Sequence, residues 1–310
     1  MLEDKFLENL IKKIEPLKNG EIGIGDDSAF LFVPQGSILI TQDSFSEKVH
    51  FPSNFPLKLS VKRGLRASLS DINAMGGRGK YVILTLGIRK ENSKEMGKIL
   101  KSLEDECKIF NLKIAGGDTI SSPFNFFTFT ITGILPLGKK PLLRSEAKPG
   151  DFIYLSGPLG KMGIALKLIK GNKVNLSKKK KREFIDYFLK PEIPYPLGEE
   201  LLLSGKVKCA IDVSDGLSID LHRLCRRSGT GAIIYSEKIP FIKEIDEIFL
   251  REEEKFNFLL SSGEEFQLLF TSPFDLDYPK IGKITEEKKI QLERKGKLKI
   301  LKPLGYDHFK

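Results

Sequence analysis

The chain has 310 residues, a formal net charge of +10, 40% hydrophobic and 30% charged residues, a balance that excludes disordered and fibrous classes. No stretch nears the roughly 18 consecutive apolar residues of a membrane span, and the charged start Met1-Leu2-Glu3-Asp4-Lys5 lacks the apolar core of a secretory signal. Cys107, Cys209 and Cys225 stand alone, without Cys-x-x-Cys spacing. They argue against a disulfide framework and for burial in a reducing compartment, so a cytoplasmic address is expected.

In chain order, Leu2, Phe6, Leu10 and Ile14 recur at helical spacing and predict an amphipathic helix closed by Pro16 and Asn19-Gly20. Gly23 to Phe51 then sets two acidic corners, Gly25-Asp26-Asp27 and Thr41-Gln42-Asp43, around two apolar runs. A hairpin here would gather three carboxylates beside a glycine backbone. A helix is expected from Pro56 to Met75, with an apolar stripe of Val61, Leu65, Leu69 and Ile72. Gly64, Ala67, Ser68 and Asp71 form a small-residue stripe beside it that admits a ligand or another backbone. Lys80 to Ile88 reads as a buried strand, and Met96 to Phe110 as a helix. Leu112 to Ala115 reads as a short strand ending at a Gly116-Gly117-Asp118 corner. Phe127, Phe129 and Ile131 alternate with Thr128, Thr130 and Thr132, the signature of a strand with one apolar and one threonine face. These elements make one mixed α/β domain ending near Pro141.

The second unit opens at Lys148-Pro149-Gly150-Asp151, followed by a strand over 152–156 and a Lys- and Pro-rich excursion over 171–197. A strand over 208–213 leads to the corner Ser214-Asp215-Gly216, and Leu217, Leu221 and Leu224 predict a helix stopped by Gly229. A strand over 231–235, an apolar run over 266–270 and a hairpin around Lys295-Gly296 complete the chain. Much of the positive charge lies in Lys178 to Arg182 and in the last thirty residues. Such runs are usually solvated faces. A basic nucleic-acid-binding protein is a distant alternative, since no aromatic platform accompanies the lysines.

Any one Asp beside Gly or Ser is ordinary turn and capping chemistry. Five such corners, counting Leu69-Ser70-Asp71, with few His and no Cys nearby, fit a magnesium–phosphate site, because magnesium takes oxygen ligands and usually one or two carboxylates plus substrate phosphates. No Walker loop or protein-kinase catalytic-loop motif is present.

The chain resembles the thiamine-monophosphate kinases of the AIR-synthetase-like superfamily. The likeness rests on Gly23 to Asp27, Asp43 with Val49-His50-Phe51, Leu69 to Gly76, Gly116 to Thr119, Arg144 to Asp151, Ile211 to Leu217, Gly263-Glu264 and Gly305 to Phe309. The resemblance implies a two-domain α/β (α+β) fold: residues 1–143 as an ATP- and Mg-binding domain whose mixed sheet joins a partner's in a dimeric barrel, and 144–310 as a C-terminal α/β domain. It implies ATP-dependent phosphorylation of thiamine monophosphate to thiamine diphosphate with release of ADP, in a homodimer, with ATP as co-substrate. Asp27, Asp43, Asp71, Asp118 and Asp212 would hold several Mg2+ ions in one cluster and Asp215 a further one. Gln42 stands where the family has a metal-contacting Thr. Gly117, Asp118, Arg144 and Ser214 would contact ATP. His50 would lie against the thiamine substrate, as would Glu265, which takes the place of a substrate-contacting Asp. No general base is expected, because an acceptor phosphate with a second pKa near ~6 arrives largely deprotonated. The alternative is another ATP-dependent enzyme of the superfamily acting on a different small phosphate or amide.

Overall fold

The computed structural model describes residues 26–33 and 36–308. The expected helix over Leu2 to Ile14 and the terminal Phe309 lie outside them. Ala29–Val33 (β1) and Gly36–Ser46 (β2) pair antiparallel with Ala29 opposite Ile40, the hairpin expected between the acidic corners. Along β2, Leu39, Thr41 and Phe45 are buried while Gln42 and Ser44 are exposed. One face of β2 therefore meets the core and the other does not.

Leu57–Ala74 (α1) buries Val61, Leu65, Leu69 and Ile72 completely. A Cβ at Gly64 would lie 2.4 Å from the Phe129 ring, so the small-residue stripe serves a close helix–sheet approach. Arg78–Ile88 (β3) and Met96–Ile109 (α2) follow as expected. Lys113–Ser121 (β4) is longer than predicted and runs straight through Gly116-Gly117-Asp118. The expected corner is thus mid-strand. Parallel pairing with β3, Gly117 beside Leu84 and Asp118 beside Thr85, satisfies the glycine backbone and extends the strand. Phe126–Ile134 (β5) completes a sheet of order β1-β2-β5-β3-β4. Phe127, Phe129 and Ile131 point to the core and the threonines away from it.

The second sheet has the order β12-β11-β8-β10-β6-β9-β7. Its strands are Phe152–Leu155 (β6), Cys209–Asp212 (β7), Gly231–Tyr235 (β8), Leu268–Ser272 (β9), Lys280–Thr285 (β10), Ile290–Arg294 (β11) and Lys297–Ile300 (β12). The intervening helices are Lys161–Ile169 (α3), Lys178–Leu189 (α4), Leu197–Ser204 (α5), Leu217–Ser228 (α6), Glu244–Ile248 (α7) and Glu252–Ser261 (α8). The Lys-rich excursion is therefore mostly helix α4. Ser177 caps it by accepting the Lys180 N–H, and Phe184, Tyr187 and Phe188 form its buried face while the lysines stay outside. Helix α6 ends at Gly229 in the left-handed conformation, φ 69°. All three cysteines are buried and free.

Helix α1 packs on the first sheet and on α2 on one side, and on β7, α4 and α5 on the other, which is why it is buried almost all round. Two cations on it are sealed at these joints. Arg63 donates to the Phe188 carbonyl at 3.1 Å and stacks on that ring at 4.0 Å. Arg66 pairs with Glu106 of α2, which is fully buried, and donates to the Pro191 carbonyl at 2.7 Å. Removing one partner of a buried pair strands the other charge, at a cost of about 3–5 kcal/mol. Glu106→Gln is accordingly expected to lose about 3 kcal/mol or more of unfolding free energy in urea, and a loss below ~1 kcal/mol would mean that Arg66 finds water instead.

Candidate phosphate and metal site

Four carboxylates meet where the two sheets face each other across α1. Asp27 precedes β1, Asp71 stands in the last turn of α1 and Asp212 ends β7. Oxygens of these three lie within 4.8 Å of one another. Asp43 shares the core-facing side of β2 with Thr41, and its carboxylate lies beside Ser68 and Asp71. Burial first, and then the neighbouring carboxylates, push Asp71 and Asp212 well above the ordinary carboxylate range. Asp43 is also raised, chiefly by burial.

The counter-groups are specific. Arg144 grips Asp27 through Nε and Nη2, each at 2.6 Å, the forked geometry of a strong guanidinium–carboxylate pair. Thr41 donates to Asp71 at 2.6 Å and Ser70 to Asp212 at 2.7 Å. Asp26 accepts the Arg144 N–H at 3.3 Å, and burial, then Asp27, raise it to about 6. Asp212 Oδ1 is buried with no hydrogen-bond donor among the described residues. An all-oxygen donor set with one such open carboxylate oxygen suits a hard divalent cation such as magnesium and not zinc.

Asp215 stands apart from this cluster, half-buried and paired with Arg223. Asp220 is buried, accepts the N–H groups of Asp215 and Gly216 at 3.0 and 3.1 Å, and is pushed up to about 7, chiefly by burial. The Ser214 carbonyl accepts the Glu264 N–H at 2.6 Å, so the Gly263–Phe266 segment runs alongside this corner.

Two sequence expectations do not join the cluster within one chain. Gln42 donates to Thr130 at 2.7 Å on the open face of the sheet, the opposite side from Asp43, because successive strand residues alternate. Asp118 sits on exposed β4, and its register partners run Thr85, Thr128, Ser44. Three strand spacings of about 4.8 Å put β4 roughly 14 Å from β2. Gly117 shares that exposed strand.

Glu265 is a third departure. It is 1% exposed, and its carboxylate accepts the Gly160, Met162 and Gly163 N–H groups at 2.9, 3.3 and 3.2 Å and the Ser262 hydroxyl. Its oxygens are committed to the start of α3, where unpaired amide donors favour an anion. The neighbouring Glu264 is the more accessible acid, 24% exposed and paired with Arg63. Glu264 and Phe266 both adopt left-handed backbone, φ 58° and 52°, a costly conformation for side chains of this kind.

At the other end lies His50. Its Nδ1 accepts the Ser46 N–H at 3.1 Å, and its ring meets Phe45 at 5.1 Å and His308 at 5.6 Å. Burial, then His308 and Arg63, push His50 down to about 4, so it is neutral near pH 7. Tyr306 packs edge-on against His308 at 4.8 Å, and its N–H donates to the Asp215 carbonyl at 3.0 Å. The C-terminal strap thus joins the Asp215 corner to His50. Thr41, Ser70, Asp26 and Glu264 stand in the sequence motifs but were given no role of their own, and Asp220 was not singled out. For Thr41 the signal was there, two residues before Asp43 on the same strand face.

Residues 25–135 match the family AIR synthase related protein, N-terminal domain, and residues 148–295 its C-terminal domain. The thiamine-monophosphate kinase of Buchnera aphidicola subsp. Schizaphis graminum is 34% identical over 98% of this chain and 97% of its own. That of Escherichia coli K12 is 31% identical over 93% and 92%. A solved complex of AaThiL with AMPPCP and TMP superposes with a TM-score of 0.84 at 24% identity, over 99% of this chain and 96% of that one. With the motifs in order from Gly25 to His308 and near-complete coverage on both sides, the chain belongs to the thiamine-monophosphate kinase family.

Proposed function

We propose that this protein phosphorylates thiamine monophosphate from ATP, giving thiamine diphosphate and ADP, at the carboxylate cluster between its two domains. The observation that carries the reading is the convergence of Asp27, Asp43, Asp71 and Asp212 from four separate elements on one buried point beside Arg144. Magnesium ions held there would neutralise the phosphates and orient them for in-line transfer. The chain's own part is positional. Asp27, Asp43, Asp71 and Asp212 supply the oxygen ligands, Ser70 and Thr41 fix two of them, and Arg144 offers a fork of N–H donors to phosphate oxygens. The acceptor phosphate brings its own negative oxygen, so no side chain has to remove a proton.

The acceptor end is assigned to the His50–His308 side. Neutral His50, with Phe45 and the ring of Tyr306, offers aromatic faces without positive charge, and such faces attract a cationic ring. Glu264 takes the role first given to Glu265, because it is the partly exposed acid of the pair. Asp215 and Ser214 form the corner toward which the strap leads, and they are assigned to the nucleotide. The reducing compartment suited to three free buried thiols is the cytoplasm, and among the described residues no helix is long and apolar enough to cross a membrane.

We also infer a homodimer formed through the open face of the first sheet. Tyr81, Ile83 and Ile120 are each 43–45% exposed there, and β4 is an exposed edge along its whole length. A monomer rarely leaves such an apolar face and edge uncovered. A second chain docked on this face would bring its Gly117-Asp118 strand, and the Gln42 face, to a site that one chain leaves short of them.

Incubating the protein with magnesium, ATP and thiamine monophosphate is expected to yield thiamine diphosphate, and Asp71→Asn to lower kcat by about a hundredfold or more while leaving the fold intact. A folded wild-type protein that makes no product would overturn the assignment.

Stability of the metal-free protein should also carry the signature of the cluster. Folded-state carboxyls raised above the unfolded value bind protons more tightly when folded, so their stabilisation is complete below pH ~4 and is lost as pH rises through their folded values. Asp26 at about 6 and Asp220 at about 7 place the visible part of that loss between pH 5 and 8. In EDTA, Tm is expected to fall across this window, and saturating magnesium should flatten the fall; a Tm that rises with pH in EDTA would contradict the buried, mutually repelling cluster.

Mixing inactive Asp71→Asn and Asp118→Asn chains tests the shared site. If Asp118 acts on the partner's cluster, re-equilibrated mixtures regain about a quarter of wild-type activity through heterodimers. Activity that stays at the level of the parents would place Asp118 in its own chain's site or outside catalysis.

A further inference from the structure

Residues 280–302 carry nine Lys and Arg against three Glu, more than half of the chain's net charge of +10. Density alone means little, and the lysines of α4 show the ordinary outcome: Lys180 pairs with Glu244 at 2.8 Å and Glu183 at 3.2 Å. The β11–β12 hairpin differs. Among the described residues, the side chains of Lys295, Lys297, Lys299 and Lys302 make no ion pair, and all four are exposed. With Arg294 they line a cleft of ≈ 480 Å³ between the hairpin and α8, across which the facing acid is Glu253.

Three features make this cleft more than a solvated face. Arg294 lies directly opposite Lys297 in the hairpin register, and like charges in that position destabilise a strand pair. The hairpin is held in place nonetheless. Lys295 and Gly296 adopt left-handed backbone at its turn, the Lys295 N–H donates to Glu237 at 3.2 Å, and the Gly296 N–H donates to Glu293 at 3.0 Å. Arg294 is braced over the Phe256 ring at 5.3 Å. The backbone that carries the cations is thus held in place, and the cost of bringing them together is one that an anion in the cleft would offset. The cleft floor includes Leu260, Leu292 and Leu301, and its volume is that of a small-molecule site, far below what a duplex needs.

We propose that this cleft binds a small oligophosphate-bearing anion, at a site sharing no residue with the carboxylate cluster. Lysines act as mobile point charges for phosphate, and five cations around one cleft match a group carrying several negative charges. Position gives the site a route to the catalytic centre. Lys302 begins the strap whose carbonyl accepts the Ser218 hydroxyl at 2.7 Å, and the same strap continues through Tyr306 to His308 against His50.

Inorganic tripolyphosphate is the probe, titrated calorimetrically into the full chain in EDTA, where the carboxylate cluster repels it. Wild-type protein is expected to bind one equivalent, with affinity falling as salt rises. Lys297→Gln/Lys299→Gln should weaken binding by about tenfold or more, while Lys178→Gln/Lys179→Gln on α4, an equal change of net charge, should leave it unaltered. Both variants are expected to keep wild-type kinase turnover at saturating substrates and the wild-type Tm. Lys302→Gln provides an independent reading should the hairpin variant lose structure. No binding by the wild type, equal loss in both double variants, or capture of polyuridylate that tripolyphosphate does not displace would overturn the proposal, the last in favour of an extended nucleic-acid surface.

Discussion

Carboxylates repel, and this fold brings four of them together. With ligand atoms of Asp27, Asp71 and Asp212 inside 4.8 Å, each ionised pair costs about 3–4 kcal/mol at an effective dielectric near 20. No single element could bear that and stay in place. The burden is spread over the residue before β1, the core face of β2, the last turn of α1 and the end of β7, each held by its own ladder or helix. Helix α1 is the common member. It is buried on nearly every side because it seals the first sheet on one flank and β7 with α4 and α5 on the other.

The local counter-groups follow the same logic. Among the described residues, Arg144 sets a full positive charge directly on the cluster, while Thr41 and Ser70 orient without adding charge. Orientation matters more than neutralisation for phosphoryl transfer, where rate comes from pre-set electrostatics and alignment. The Asp215–Asp220–Arg223 group is a second, self-balanced unit. Asp220 fixes the Asp215 and Gly216 amides, so the corner keeps its shape whether or not Asp215 is occupied by Arg223.

Much of this was legible in the sequence, and the exceptions share a cause. Apolar periodicity located α1, α2, β3, β5, β7, α6 and the last hairpin, since each rests on contacts its own spacing announces. Asp27, Asp71 and Asp212 were legible through Gly and Ser neighbours that mark element ends, whereas the corner expected at Asp43 lies inside β2. Helix α4 was hidden because its first turn is a run of lysines, although Phe184, Tyr187 and Phe188 already stood at helical spacing. Glu265 and Asp118 depend on partners far away in the chain. The amides that take up the Glu265 carboxylate lie more than a hundred residues upstream, and Asp118 is placed by a strand order no local pattern encodes. Gln42 lay between these cases, because β2 alternation alone decides that Gln42 and Asp43 face opposite ways once Asp43 is known to face the core.

Two anomalies of the first sheet bear on one another. A strand exposed along its whole length is a hazard for a monomer, since its free N–H and C=O groups invite pairing. A motif carrying Gly117 and Asp118 on that same strand is wasted unless something meets it. Within one chain Asp118 is separated from the cluster by three strand spacings, and no hinge in β3 or β5, both bonded along their full lengths, could bring it closer. Folding alone therefore leaves both the edge and the aspartate unemployed. The proposed second copy, covering the threonine face, would meet both at once, on a face where Gln42 bonds Thr130 and Ser44 bonds Thr128 beside the apolar Tyr81 and Ile83 that would drive association.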